Sequence, residues 1–334
     1  MYRINLQPQR KSFVDIVKII ACFGVIIIHV HSSTIAAENI GQFFLSFCVP
    51  YFYITAIAYF IKSLRKDMFL KEIFRKMWNR IGVPFIVWSI IYASLLVIKS
   101  QITGNGHTLN IFRVFMYGES AEHMYYLPEL IILQLIAISI FLLVFDIKQV
   151  VGLGVMFTAT FYLVWGHTHS YFGVSALKNI ITYLVIGFFI APKINRSEIS
   201  WPYLFLGMGL IILSLTGSNF NCAFLINEYV ISLPLGGCGL LLLSLNIPNI
   251  RLPKSLTSLS STTYGIYLSH VVFLEAFEYM VDKIHYSINY NLTNKVLISI
   301  FIFMCSSLFV MLTKKSSVLS PLLLGEPRDR SSGV

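Results

Sequence analysis

Four ionisable side chains fall in or at the end of the first apolar run of this chain, FVDIVKIIACFGVIIIHVHSS: Asp15, Lys18, His29 and His31. Charged groups inside an apolar helix are costly, and by default they mark a pathway or a reaction site. On a helix, Lys18 and His29 lie within about 20° of each other and about 16 Å apart along the axis. Asp15 falls about 40° from that stripe, and His31 about 200° round from His29. A neutral imidazole suits general-base work near neutral pH, and a fixed cation suits phosphate. Glu129, Glu228, Tyr264, Tyr267 and His270 add further polar groups to apolar surroundings. A plainer reading stands beside this one. Asp15 and Lys18 would pair at i,i+3 near the interface with Lys18 snorkelling inward. His29 would simply pack, and Tyr264 and His270 would hydrogen-bond between helices.

The elements that must carry these groups are membrane helices. Hydrophobic residues make up 56% of the chain and charged ones 12%, against about 25% charged in soluble domains. Mean hydropathy is +0.75. The apolar runs are of about the 20 residues that cross a bilayer as a helix, not the 4–8 of a buried strand. The pattern predicts an all-α, polytopic bundle of about ten helices, near 13–35, 41–61, 81–99, 125–145, 149–165, 177–191, 200–217, 227–246, 257–280 and 295–313. The first run is not a cleavable signal, because it is too long and carries Asp15 and Lys18. Cys22, Cys48, Cys238 and Cys305 fall in apolar spans and Cys222 in a loop. No pair has metal-ligand spacing, so neither a zinc site nor a disulfide framework is expected.

Charge sets the expected orientation. Segments 1–12, 62–80, 146–148, 192–199, 247–256 and 314–334 hold most of the 25 Lys and Arg residues. Only Lys99, Arg113, Lys178, Lys283 and Lys295 fall on the other side, with Lys18 inside the first span. The positive-inside rule then places both termini in the cytoplasm. The net charge of +10 belongs to these loops and to anionic membrane lipids, not to nucleic acid. The densest stretch, KSLRKDMFLKEIFRKMWNR at 62–80, reads either as a positive-inside loop or as a dock for an anionic cytosolic donor. The outer loops carry Tyr117, Tyr171, Phe172 and Tyr286, aromatics of the kind that hold sugars. Residues 1–12 read as an N-terminal segment, 13–313 as the membrane domain and 314–334 as a basic tail.

The pattern Lys18-x10-His29 resembles the signature of membrane acyltransferase family 3 in its first helix. VPYFYITAIAYF at 49–60 is similar to that family's second-helix motif, with Thr55 and Ala56 where Ser-Gly is usual. NRIGVPFIVWS at 79–89 resembles its Arg-containing run into Pro-aromatic-x-x-Trp, with Arg75, Lys76 and Arg80 as basic members. HMYYLPELIILQL, TYLVIGFFIAP and SSTTYGIYLSH look like three later motifs, in the expected order over about residues 12–315. The likeness is to the stand-alone kind without a fused hydrolase-like domain, as in the O-antigen acetylases of enteric bacteria and their phages.

The resemblance implies an O-acetyltransferase in a bacterial inner membrane, with acetyl-coenzyme A as donor and no metal. The acceptor would be an extracytoplasmic polysaccharide or lipid-linked glycan. It implies His29 as general base and Lys18, Arg75 and Arg80 as phosphate holders. Glu129 would orient the imidazole, Asp15 would position a cation, and Tyr264 and His270 would line the cavity. A secondary transporter or flippase is the competing class, but it should show inverted repeats, and none is visible. A glycan polymerase would need a large Arg-rich outer loop, which is missing.

Overall fold

The computed structural model describes residues 11–64, 69–103, 110–143, 174–194, 199–217, 232–285 and 287–326. Among these the chain is helical, with no strand. The helices are α1 (Ser12–His29), α2 (Ile35–Leu45), α3 (Cys48–Ser63), α4 (Leu70–Met77), α5 (Val83–Thr103) and α6 (Ile111–Tyr117). They continue with α7 (Tyr126–Leu143), α8 (Val174–Ile190), α9 (Trp201–Gly217), α10 (Ser232–Asn246), α11 (Lys254–Lys283) and α12 (Leu292–Lys314). Four stretches are long and apolar enough to cross a membrane: Ser12–His29, Ile35–Ser63, Leu70–Ile102 and Leu292–Lys314. Shorter apolar helices cover Tyr126–Leu142, Thr182–Lys193, Trp201–Leu215 and Leu233–Asn246. In a bilayer every backbone polar group must find its partner inside the protein, so helices are the form expected of such segments. The predicted span 149–165, Glu228, Cys222, Tyr171, Phe172 and Tyr286 lie outside the described residues.

Three boundaries differ from the sequence reading. The first helix stops at His29, because the following HSST is turn chemistry. Thr34 caps α2 there, its Oγ1 accepting from Ala37 N at 3.3 Å. The run 35–63 is two helices. Pro50 has no N–H to bond the Ser46 carbonyl, so the chain breaks ahead of it, and Ser46 Oγ donates back to Phe43 O at 2.7 Å. Pro84 acts alike: it leaves the Arg80 carbonyl without its i+4 donor, and Trp78–Gly82 forms a wide π-helical turn between α4 and α5.

The chain divides into two compact units. The first comprises 1–25, 41–64 and 136–260. Its helices α3, α8, α9 and α10 pack together through small residues and stacked rings. A Cβ on Gly207 would sit 2.9 Å from the Gly239 carbonyl oxygen, and one on Gly239 would sit 2.6 Å from that of Gly207. Only hydrogen at both positions lets α9 and α10 approach so closely, the usual way membrane helices gain dispersion contact. Tyr53 and Tyr183 stack at 4.8 Å between α3 and α8. Ser12 anchors the start of α1, its N–H donating to Asn249 Oδ1 at 2.9 Å while its Oγ accepts from Ile250 N at 2.9 Å.

The second unit comprises 26–40, 65–135 and 261–334. Hydrogen bonds from aromatic side chains to main chain hold it together. Trp88 Nε1 of α5 donates to Leu323 O at 2.9 Å, which fastens a π-helical turn at Ser320–Leu324 onto α5. Those residues belong to the stretch read as a basic tail. Tyr92 OH donates to Leu268 O of α11 at 2.8 Å, and Tyr267 OH to His123 O. Around the end of α1, Ser33 N donates to Tyr290 O at 3.0 Å and Ser33 Oγ to Asn289 Oδ1 at 2.7 Å. Lys295 Nζ donates to Ser32 Oγ at 2.8 Å.

Candidate active site

Three histidines from separate parts of the sequence meet in the second unit. His29 ends α1, His270 lies on α11, and His123 sits in the turn ahead of α7. Ring centroids are 5.3 Å apart for His29 and His270, 4.9 Å for His123 and His270, and 6.1 Å for His29 and His123. The route to His123 is local chemistry. α6 ends at Gly118, whose φ of 69° is the left-handed conformation of a helix C-cap, and the chain then turns through residues 119–125. Tyr267 and His270 are one turn apart on α11, so one face of that helix supplies both.

Tyr92, Tyr126 and Tyr267 wall the cluster. The rings of Tyr92 and Tyr267 meet that of His123 edge-on at 5.1 and 5.3 Å, and Tyr126 meets Tyr267 at 5.2 Å. The hydroxyls of Tyr92 and Tyr267 are turned to main-chain carbonyls, so the face toward the histidines is aromatic carbon.

The hydrogen bonds assign protons. His270 Nδ1 is 2.7 Å from Tyr267 O. A carbonyl only accepts, so Nδ1 carries hydrogen and Nε2 presents a bare lone pair. That Nε2 is buried without a hydrogen-bond partner among the described residues. Neither nitrogen of His123 has one either, although the Leu268 carbonyl, which accepts from Tyr92, is near enough to favour the charged ring. Burial, with His270 and His29 beside it, holds His123 well below the ordinary histidine value, so it is neutral at pH 7. His270 is 0% and His123 2% exposed, whereas the His29 side chain is 16% exposed. Of the three, His29 is the imidazole a substrate can reach.

A carboxylate stands beside it. Glu122 Oε2 is 3.7 Å from His29 Nδ1, an ion-pair rather than a hydrogen-bond distance. Contact with His29 holds the Glu122 carboxyl below its ordinary value, against a smaller opposing effect of desolvation. Glu129, the carboxylate expected from sequence, lies half-buried in the first turn of α7, within electrostatic reach of Tyr125.

The other expected residues distribute as follows. Tyr264 is on α11, its hydroxyl buried without a hydrogen-bond partner among the described residues and within electrostatic reach of Arg80 and Tyr126. Arg75 is exposed on α4, which buries Ile73 and Met77 on its other face, and Arg80 is exposed in the π-helical turn. Lys18 and Asp15 belong to the first unit. Asp15 is buried and accepts from Ser260 Oγ at 2.7 Å. His31 lies beyond the helix end, so no helical angle relates it to His29; its Nε2 is 3.5 Å from Glu278 Oε1.

His123 and Glu122 are the residues that sequence reading missed. HMYYLPEL begins on His123, but the segment has no periodicity to mark it as buried. Among the described residues, no group of His, Cys, Asp or Glu has the arrangement of a metal site.

The cluster offers one reachable imidazole, one buried lone pair with a fixed tautomer, and a neighbouring carboxylate. That set can take a proton from a hydroxyl and hold the acceptor in line. Comparison with known proteins gives the same class of chemistry. A family model described as an acyltransferase domain, that of acyltransferase family 3, matches residues 11–314. No curated protein and no solved structure matches the chain. With that match over most of its length and apolar helices throughout, the chain is a membrane acyltransferase and belongs to acyltransferase family 3.

Proposed function

We propose that this enzyme transfers an acetyl group from acetyl-coenzyme A to a sugar hydroxyl of a cell-surface polysaccharide such as O-antigen, either mature or still lipid-linked. In this reading it is a multi-pass protein of the bacterial inner membrane with about ten spans and both termini cytoplasmic. The charge census supports that orientation. The observation that carries the chemistry is the histidine cluster, in which His29 alone is partly exposed and His270 presents a fixed acceptor nitrogen beside it.

His29 accepts the proton of the sugar hydroxyl as that oxygen attacks the thioester carbonyl. The tetrahedral intermediate collapses with cleavage of the C–S bond, and the departing thiolate takes the proton from His29. The His270 Nε2 lone pair holds the incoming hydroxyl or the His29 N–H. Glu122, 3.7 Å from His29 Nδ1, orients the imidazole and stabilises it once it has taken the proton, and Glu129 is the second candidate for that role. Tyr264 lines the approach. Lys18, Arg75 and Arg80 attract the donor's phosphates, and Asp15 fixes α11 against α1 through Ser260. Lys18 and His29 lie on one unbroken helix, so the donor's extended arm needs to run along α1 for roughly 16 Å.

Membranes containing the protein, given labelled acetyl-coenzyme A and purified lipopolysaccharide, should transfer label to the glycan. Transfer should vanish in His29→Ala protein that is inserted normally. Absence of transfer by the wild type to any glycan acceptor would favour a transporter or flippase instead.

A further inference from the structure

We infer that His31, Glu278 and Tyr290 form an acceptor subsite, which seats the sugar ring next to the one that His29 acts on and so selects the hydroxyl that reaches that imidazole. The inference deepens the acceptor side of the function proposed above and rests on it.

These side chains come from three parts of the sequence and meet at one place. His31 Nε2 is 3.5 Å from Glu278 Oε1, and the rings of His31 and Tyr290 meet edge-on with centroids 5.5 Å apart. Tyr290 also lies within electrostatic reach of Glu278, which closes the triangle. The place adjoins the histidine cluster. His31 follows His29 by two residues, which span at most about 7 Å, and Glu122 is within electrostatic reach of both imidazoles. All of these residues belong to the second unit.

Other residues fix the backbone beneath them. Ser33 holds the main chain of Tyr290 and the side chain of Asn289, and the buried Lys295 reaches Ser32 Oγ. From the first turn of α12, Asn294 Nδ2 donates to Asn289 O at 2.8 Å. The side chains of His31, Glu278 and Tyr290 take no part in these contacts. His31 is 69% exposed. Glu278 is 24% exposed, and its Oε1 is buried with no hydrogen-bond partner among the described residues. Glu275, one turn back on α11, already accepts from Lys99 at 2.6 Å. Of these two, Glu278 is the carboxylate with acceptor capacity to offer.

A rigid frame that presents an aromatic ring, an imidazole and a carboxylate suits a sugar. The C–H face of a pyranose packs on an aromatic ring as other apolar groups do. Its hydroxyls both donate and accept, so one of them donates to Glu278 Oε1 while accepting from a His31 N–H. The exposed His31 side chain makes room by a rotamer change, which takes ps–ns. A ring held in this way sets the register of the glycan, and hence the hydroxyl delivered to His29. Because the frame is already ordered, binding loses little freedom in the protein.

The test uses purified lipopolysaccharide in the labelled-donor assay, and the polysaccharide released from it, titrated by calorimetry into protein held in nanodiscs. Tyr290→Ala should raise the acceptor KM about tenfold, the scale of a lost ring contact, with Tyr290→Phe near wild type. The coenzyme KM and kcat should hold, because a contact made equally in ground and transition states moves KM alone. Glu278→Gln and His31→Ala should raise the acceptor KM about three- to tenfold. Mapping of the product's O-acetyl groups should show a second hydroxyl acetylated in these variants. Thermal melting of each variant checks that it is folded.

If the wild type acetylates the glycan and the folded variants keep its acceptor KM, the subsite is overturned while the acetyl-transfer reading survives. Variants that lower kcat with the acceptor KM unchanged overturn it too, since they act on His29 and not on the acceptor. A wild type that transfers nothing but binds the polysaccharide in a Tyr290-dependent way keeps the subsite, and the acetyl-transfer reading falls. Neither transfer nor binding overturns both.

Discussion

The two units handle charge in opposite ways. In the first, one acid, Asp15, faces several lysines and arginines among the described residues, and no described histidine is present. The second holds every described histidine and carries carboxylates such as Glu122, Glu275 and Glu278, several of them in ion pairs. Packing differs in the same sense. The first unit brings backbones together at Gly207 and Gly239, whereas the second spends its aromatic hydroxyls and its Trp88 indole on main-chain carbonyls. A net cationic scaffold attracts an anion without needing to change protonation. A pocket that sets imidazoles beside carboxylates can move a proton. The contrast places the described acids and histidines in the unit that holds the candidate active site, which is where the proposed chemistry would run.

The sharpest break of that contrast is His29→Ala. It should lower acetyl transfer by about 10²–10⁴-fold, the usual worth of a general base, with coenzyme A binding unchanged. His270→Asn should follow with a loss of about tenfold to a hundredfold in turnover, the scale set by an uncompensated buried hydrogen-bonding group. Both are read from initial rates with labelled donor.

A third change addresses the scaffold. Gly239→Leu forces carbon against the Gly207 carbonyl and should cost about 1–3 kcal/mol by overpacking, visible as a lowered thermal midpoint in detergent. The remaining protein should keep its rate per folded molecule. The smallest effect is expected for Glu122→Gln. The carboxylate is 91% exposed, and pairs this open are worth about 0.2–1 kcal/mol, so turnover should drop no more than about fivefold. Its carboxyl is held below the ordinary value and is ionised at neutral pH. The wild-type advantage over the Gln variant should therefore persist at pH 7 and disappear as pH falls through that lowered value. If Glu129→Gln proves more damaging than Glu122→Gln, the orienting role passes to Glu129.

Much of this was legible in the chain, and for identifiable reasons. Long apolar runs have few alternatives to helix, so the all-α architecture followed from hydropathy. Lys18 and His29 stood out because ionisable groups in apolar runs are rare. Asp15 stood out likewise, but its bond to Ser260 joins positions 245 residues apart, and no local pattern encodes that. The breaks at Ser46 and Arg80 were signalled by Pro50 and Pro84 four residues on, although continuous hydropathy masked them. His123 was hidden differently. It sits in an aperiodic turn between a glycine cap and a helix, and only the closure of α11 over it makes it part of a cluster. The fold-back at Ser320–Leu324 looked like tail because its anchor, Trp88, is 235 residues distant from Leu323.

The clasp between Ser33 and Asn289 has a consequence for biogenesis. Its two ends are 256 residues apart. During membrane insertion the helix bearing His29 enters long before Asn289, Tyr290 and Lys295 are made. Contacts of such long separation form late. The nascent chain would therefore hold its histidine unanchored until these residues follow, and activity would switch on only when α12 is in place. Even a small epitope tag spliced between α11 and α12 would intrude on that last step.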